Sequence, residues 1–140
     1  GHDVTVYCTG WWEGYDEFTT DVRIDGAALT HAVDVCAMVS DHIVVDTDPD
    51  REAPLHFIGE GDTDDAVVKP TNSLDEDSQI DDVARSMFSE DYLDDMLAQI
   101  PKGTTVRMRH GGTYPIQFTY EYADGHASVT LHLSPRIKSQ

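Results

Sequence analysis

Hydrophobic residues recur with helical spacing in two stretches of this chain. The first apolar stripe contains Leu29, Ala32, Val33, Cys36 and Val39. The second contains Leu93, Met96, Leu97 and Ile100. Asp25 precedes the first stripe and Ser89 the second, where a short polar side chain caps a helix. Pro101 follows the second stripe and ends it. The pattern predicts two helices, from Asp25 to about Ser40 and from Ser89 to Ile100.

Alternation of apolar and polar residues, typical of half-buried strands, fills most of the remaining chain. It predicts strands at Val4–Tyr7, Phe18–Ile24, Ile43–Asp46, Pro54–Gly59, Ala66–Lys69, Ala84–Phe88, Thr104–His110, Tyr114–Tyr122 and Ala127–Leu133. Residues 72–82 are acidic and lack periodicity, which predicts a solvated loop. Hairpin turns are expected at Gly111-Gly112 and at residues 123–126.

The order strand, helix, strand, strand, strand occurs twice, with an offset of roughly 65 residues. We therefore predict an α+β fold of two βαβββ halves, with antiparallel sheets that carry both helices on one side. The length of 140 residues favours one domain, which we place at residues 18–140. Residues 1–17 are interpreted as an N-terminal segment or the remnant of a connector.

The charge is unusual, because 27 acidic residues face 9 basic ones for a net charge of −18. Such a chain repels itself at low salt, whereas at about 1 M salt the screening length falls to roughly 3 Å. Adaptation to a salt-rich cytoplasm is the favoured interpretation, since the acids are spread along the whole chain. The alternative is an acidic surface made for a basic partner or a metal.

The sequence has no motif typical of an active site and no strong signal for a metal site. The seven histidines lack a metal-ligand spacing such as His-x-x-x-His. Asp62, Asp64 and Asp65 would hold a hard cation weakly, and a solvated turn is the favoured interpretation. There is no glycine-rich phosphate loop, nucleophile elbow or apolar run of membrane-spanning length. We expect no catalysis, no metal, no cofactor and no membrane partner.

Four stretches resemble, in order and spacing, the archaeal sliding clamps of the proliferating cell nuclear antigen family, and haloarchaeal ones in particular. They are Phe88–Met96 with Ile100–Lys102, Met38–Ile43, Gly59–Asp64 and Leu133–Ile137. This resemblance covers about Phe18 to Lys138. It implies the DNA clamp, or processivity, fold in a protein that tethers other proteins and catalyses nothing.

The resemblance also implies partners. Clamp subunits have two such domains, and three subunits close a ring around duplex DNA without sequence specificity. DNA polymerase, clamp loader, nuclease or ligase dock on one face through short peptides that bear an aromatic pair. The chain resembles the C-terminal domain alone, so it is either an excised domain or a natural single-domain clamp. A single-domain ring would need about six copies joined by identical contacts.

The resemblance assigns three sets of residues. The wall of the partner-peptide pocket comprises Tyr114, Pro115, His132, Leu133, Ser134 and Pro135. The DNA-facing helix positions are Thr30, His31, Asp34, Asp91, Asp94 and Ala98. The subunit-edge strands contain Ala66, Val67, Val68 and Lys69 on one side and Ser128, Val129, Thr130 and Leu131 on the other. His132 and Ser134 stand where the family often has Tyr and Ala.

The DNA-facing positions depart from the family, which often has Lys or Arg there. His31 is the single candidate cation among them, and histidine is mostly neutral at pH 7. This face would repel phosphate at low salt, although hydrated cations would bridge acids to phosphate at high salt. Lys102, Arg107, Arg109, Arg136 and Lys138 are expected to be scattered surface charges. Two functions stay open: a sliding clamp that acts as a processivity factor, and a non-sliding clamp-like module that binds clamp clients or another clamp subunit.

Overall fold

A computed structural model describes residues 2–7, 18–70, 78–101, 103–111, 115–122 and 127–135. Within these ranges it contains two helices, α1 (Gly26–Ala37) and α2 (Glu90–Leu97). The strands are β1 (His2–Tyr7), β2 (Thr20–Asp25), β3 (His42–Thr47), β4 (Leu55–Glu60), β5 (Asp65–Val68), β6 (Gln79–Ile80), β7 (Ala84–Ser89), β8 (Thr105–His110), β9 (Ile116–Tyr122) and β10 (Ala127–Leu133).

The strands form two sheets that exchange one strand between the halves of the chain. One sheet has the order β1-β10-β9-β8-β2-β6 and the other the order β5-β4-β3-β7. β2 of the first half pairs antiparallel with β8 of the second, and β7 of the second half pairs antiparallel with β3 of the first. Each half therefore completes a sheet of the other, in an α+β arrangement of two βαβββ halves as predicted.

The two helices lie side by side and run in opposite directions. The Gly26 N–H at the start of α1 donates to the Thr104 carbonyl at 2.9 Å, just beyond the C-terminal turn of α2. The Glu90 N–H at the start of α2 donates to the Asp41 carbonyl, just beyond α1, at 3.0 Å. A Cβ atom at position 26 would lie 2.8 Å from the Thr104 oxygen, so this approach requires glycine. The start of each helix is thus fixed by the other half.

Capping differs between the helices. The Asp25 carboxylate accepts from the Ala27 N–H at 3.4 Å, as predicted for an N-cap. Ser89 occupies the N-cap position of α2, but its side chain makes no capping hydrogen bond. α2 ends at Leu97, three residues before the predicted boundary at Ile100. The Ile100 N–H donates to the Leu97 carbonyl, an i→i−3 bond that tightens the last turn before Pro101.

One continuous core joins the helices to both sheets. Its side chains come from α1, α2 and strands of both halves. The largest fully buried members are Phe57, Phe88, Phe118, Ile24, Leu29, Ile43, Leu55, Leu93, Met96, Leu97, Met108 and Ile116. Because the same cluster receives α1 and α2, neither half has a separate core.

Three strands also differ from the sequence prediction. β6 lies inside the stretch predicted as a loop, where Gln79–Ile80 pairs with Thr20 and Asp21. The β9 strand begins at Ile116, so Pro115 precedes the strand and does not interrupt it. β1 pairs in parallel with β10. The hairpin turn at 123–126 and Gly112 lie outside the described residues.

A buried histidine joins the two sheets. His110 at the end of β8 is fully buried, its Nε2 atom bonds with the Ser86 hydroxyl of β7, and its ring meets Phe88 edge-on. Burial lowers the pKa of His110 from 6.5 to about 4. The folded protein therefore holds this imidazole neutral well below the pH at which it would protonate in the unfolded chain.

His110 should make the free energy of unfolding depend on pH. Because its folded pKa is depressed, the contribution is present above pH 6.5 and is lost as the pH falls from 6.5 to about 4. Relative to His110→Gln, the wild type should lose about 3 kcal/mol over this interval. Denaturant unfolding at fixed high salt measures the difference between the two proteins. Parallel pH profiles would show that the histidine is not held neutral.

Candidate nucleic-acid and partner interfaces

The DNA-facing positions predicted on α1 lie on its outer side. The buried side of α1 carries Leu29, Ala32, Val33 and Cys36. Thr30, His31 and Asp34 lie on the opposite side and, with Ala98 and Pro101 from the end of α2, border a cavity of about 440 Å³ between the helices. The structure therefore brings four of the six predicted positions to one groove.

The other two positions, Asp91 and Asp94, are exposed on α2 on the same stripe as Ala98. Neither helix contains Lys or Arg. Burial, and then the nearby Asp94 and Asp91 carboxylates, raise the pKa of Glu90. The surface formed by both helices, called here the helix face, is therefore acidic and has local like-charge repulsion.

Most of the residues predicted to form the wall of the partner-peptide pocket lie together at one end of the β9–β10 pair. Leu133 pairs with Ile116, so Pro115 lies beside the segment Ser134-Pro135 just beyond the ladder. Pro115 and Leu133 are buried, while Ser134 and Pro135 are half-buried. His132 is buried as well, and burial lowers its pKa. Tyr114 lies outside the described residues.

The two predicted subunit edges have different surroundings. β5, which contains Ala66, Val67 and Val68, pairs with β4 on one side and is the border of the four-stranded sheet. Val67 is 49% exposed there, and Lys69 follows the strand. The second predicted edge, Ser128–Leu131 in β10, is not a border, because β9 pairs with one side of it and β1 with the other. The pairing with β1 joins residues more than a hundred positions apart, which local periodicity does not reveal.

Arg107 and Arg109, expected to be scattered charges, lie together with Arg23. Asp21 and Arg23 of β2 stand directly opposite Arg109 and Arg107 of β8. Their alternation with buried residues places all four side chains on the outer face of the six-stranded sheet. The alternation in each strand was visible in the sequence, but the register that unites them was not. Lys102, Arg136 and Lys138 lie outside the described residues.

A second charged cluster lies on the other sheet. Arg85 donates to Asp46 at 2.7 Å and to Glu60 at 3.1 Å, and Arg51 contacts Asp46 at 3.0 Å. Burial of Asp46 opposes its ionisation, but the hydrogen bonds from Arg85 and Arg51 prevail and lower its pKa. Asp46 is thus paired with two arginines, whereas Asp91 and Asp94 form no ion pair with the described basic residues.

The acidic turn after β4 does not assemble a metal site in the described part of the chain. Asp62, Asp64 and Asp65 are exposed, and no group of three potential ligands within the described ranges is arranged to hold a metal ion. Neither described helix is long and apolar enough to cross a membrane.

Comparisons with known proteins identify relatives of this chain. No protein-family model matches the sequence. The sequence is 40% identical over 126 residues to the DNA polymerase sliding clamp of Natronomonas pharaonis, covering 88% of this chain and 49% of that protein. It is 36% identical over 127 residues to the DNA polymerase sliding clamp of Haloarcula marismortui, covering 89% and 49%.

Solved structures show the same fold. The PCNA of Thermococcus kodakaraensis superposes with a TM-score of 0.77 at 23% identity, covering 92% of this chain and 52% of that one. The A. fulgidus PCNA bound to the C-terminal region of FEN-1 gives a TM-score of 0.77 at 26% identity, covering 92% and 51%. The chain spans about half the length of the curated relatives it matches. It is thus a homologue of archaeal DNA polymerase sliding clamps over about half of their length, and it has the sliding-clamp fold.

Proposed function

We propose that this chain is one module of a DNA polymerase sliding clamp, a processivity factor that tethers replication proteins to duplex DNA. The similarity to DNA polymerase sliding clamps, which extends over 88% of the chain, is the observation that carries the proposal. The clamp fold supports it, since the fold places two adjacent helices on one surface and leaves a strand border at β5. The module is the C-terminal domain of a two-domain subunit or a single-domain clamp.

Among the described strands β5 has a neighbour on one side only, and its other side is the proposed joint of the ring. Unpaired N–H and C=O groups along a border strand pair readily with a strand of another chain. Identical head-to-tail contacts close a ring when the rotation between copies is right, with about six single-domain copies or three two-domain subunits. The helix face would then line the hole.

The acidic helix face sets how such a ring would hold DNA. Affinity for duplex DNA comes mainly from cations that displace counterions, and the described helices contain neither Lys nor Arg. Retention would therefore be topological, with hydrated cations between carboxylates and phosphates. This mode of retention suits a salt-rich archaeal cytoplasm, the environment to which a net charge of −18 is interpreted as an adaptation.

A second function is favoured by one observation. β1 pairs along β10, so the border predicted at Ser128–Leu131 is occupied by the chain itself. A chain that keeps this pairing cannot use β10 as a subunit edge, so head-to-tail closure through β10 would be blocked. It would instead act as a non-sliding module that binds clamp clients or another clamp subunit. The mass in solution at high salt separates the two functions.

Topological retention predicts a dependence on DNA ends. The protein mixed with DNA at lower salt and then brought to molar KCl should close into a ring. That ring should stay with a nicked circular plasmid but leave the same plasmid once it is linearised. Val67→Lys places a charge on the β5 border and should abolish both ring mass and retention. Sedimentation velocity and gel filtration measure the two effects.

Val83→Lys is the matched control, because Val83 is 60% exposed and lies away from the β5 border. It should behave as the wild type. Equal retention on circular and linear DNA by a ring-forming wild type would refute the clamp function. A wild-type monomer at high salt would exclude the single-domain ring and leave either a C-terminal domain of a longer clamp subunit or the non-sliding module.

The peptide pocket is proposed at Pro115, His132, Leu133, Ser134 and Pro135, with Tyr114 as a further wall. An apolar pocket of this kind takes aromatic anchors from partner peptides of a polymerase, clamp loader, nuclease or ligase. Ser134→Asp should weaken binding of a peptide with an aromatic pair by about tenfold or more, since a carboxylate there must be desolvated. Fluorescence anisotropy measures this change. The control Ser128→Asp, near the opposite end of β10 from Ser134, should leave binding unchanged, and equal effects of both would remove the assignment.

Unpaired and paired acids should respond differently to salt. Asp94→Asn relieves repulsion with Glu90, so it should raise the melting temperature at low KCl and matter little at molar KCl. Asp46→Asn removes the partner of Arg85 and Arg51, so it should lower the melting temperature. Calorimetry across a KCl series measures both, and the wild type should become more stable as salt rises. A wild-type melting temperature that falls with KCl would contradict the halophilic interpretation.

A further inference from the structure

Arg23 and Arg107 form a like-charge pair across the outer face of the six-stranded sheet. They stand directly opposite one another on β2 and β8. Like charges directly opposite each other destabilise a sheet. The chain has 9 basic residues in all, so two of them in this arrangement call for a physical reason.

The neighbouring carboxylate does not resolve this repulsion. Asp21 accepts from Arg107 Nε at 2.8 Å and from Arg107 Nη2 at 2.6 Å, a bidentate pair. The hydrogen bonds from Arg107 lower the pKa of Asp21. Arg109 Nε lies 4.0 Å from the same carboxylate, and its guanidinium lies 4.7 Å from the centre of the Phe18 ring. The same carboxylate thus hydrogen-bonds Arg107, lies near Arg109 and attracts Arg23 only through a longer-range electrostatic interaction.

Arg23 is the third arginine of this surface and lacks a short contact with the Asp21 carboxylate. Its guanidinium makes no hydrogen bond or ion pair with the described residues, while its backbone N–H donates to the Ser78 hydroxyl at 2.9 Å. Arg23 and Arg107 line an open groove of about 550 Å³. The other lining residues are Thr104, Thr105, Thr119, Tyr120 and Glu121. Within the part of the chain that the structure describes, the groove thus offers an arginine whose guanidinium N–H groups have no hydrogen-bond acceptor. Threonine hydroxyls lie beside it, and that of Thr119 also shares a hydrogen bond with the Thr130 hydroxyl.

We propose that this groove, called here the arginine groove, binds a glutamate or aspartate side chain of an acidic, extended peptide segment of a partner protein. A carboxylate between Arg23 and Arg107 would relieve their repulsion, and arginine binds carboxylates bidentately, as Arg107 does with Asp21. The threonine hydroxyls would donate to the peptide. Glu121 at the rim limits the positive charge to a short patch.

A short patch fits a peptide better than a nucleic acid. Duplex or single-stranded DNA draws on several cations spaced along its backbone. Here Asp21 and Glu121 offset two of the three arginines, and the chain as a whole carries a charge of −18, which repels a polyanion. The groove also lies on the sheet surface opposite the core and the helices. It is therefore separate from the helix face, and the two proposals stand or fall independently.

The test is a titration of the ¹⁵N-labelled protein with acetyl-hexaglutamate amide at the lowest KCl concentration that keeps it folded. The spectra should shift at Arg23, including its side-chain Nε–H, and at Thr105 and Thr119. Arg23→Gln should raise the dissociation constant about tenfold, which is the loss of affinity expected when a charged hydrogen-bonding group is removed. Asp21→Asn should strengthen binding, because it releases Arg107.

The matched control is Arg85→Gln on the other sheet, where Arg85 is already paired with Asp46 and Glu60. It should bind the peptide as the wild type does, and circular dichroism checks that each variant is folded. Acetyl-hexaglutamine amide should give no shifts. No shifts with hexaglutamate, equal weakening by Arg23→Gln and Arg85→Gln, or tighter binding of a twelve-nucleotide oligothymidylate at the same residues would overturn the proposal.

Discussion

The pairing of β2 with β8 and of β3 with β7 is the constraint on which the rest of this structure depends. Each pairing joins strands from different halves of the chain, so neither half keeps a complete sheet by itself. The side chains beneath both pairings enter one core, where Val22 and Ile24 of β2 meet Val106 and Met108 of β8. Because both helices bury their apolar sides in that common core, they lie side by side over it.

This interlock also separates the charges. The buried sides of α1 and α2 are used by the core, so Asp34, Asp91 and Asp94 are left on the helix face. The outer faces of the sheets carry the described arginines, of which Arg85 and Arg51 are paired with acids. A chain with a net charge of −18 thus has an acidic helix face and a short cationic patch on the opposite surface. The proposed ring would therefore hold DNA by closure and not by attraction.

Local periodicity was enough to predict the helices and most strands. Leu29, Val33 and Cys36 are spaced so that only a helix buries all three, and the alternation in Thr105–His110 fits only a strand. The ends of the helices were predicted less well than their positions. For example, α2 ends at Leu97 although Ile100 continues the apolar spacing. The resemblance to sliding clamps, carried by short motifs, supplied the fold that periodicity alone left open.

What the sequence did not reveal depends on contacts between distant residues. β6 has two residues, too few for a period, and exists because it pairs with Thr20 and Asp21. The arginine groove needs the register of β2 against β8, which no spacing within either strand specifies. The same holds for β1 along β10, which covers a strand that the resemblance assigned to a subunit edge. The placement of Thr30, His31, Asp34 and Ala98 at one groove, by contrast, follows from helical spacing once the helices are adjacent.

Native-state hydrogen exchange at high salt tests the interlock most directly. If the exchanged strands make the two halves one cooperative unit, the most protected amides of β2, β3, β7 and β8 should open with one common free energy, equal to that of global unfolding. They should also share one dependence on denaturant. Two groups of protected amides, one for each half, with different opening free energies would contradict the account.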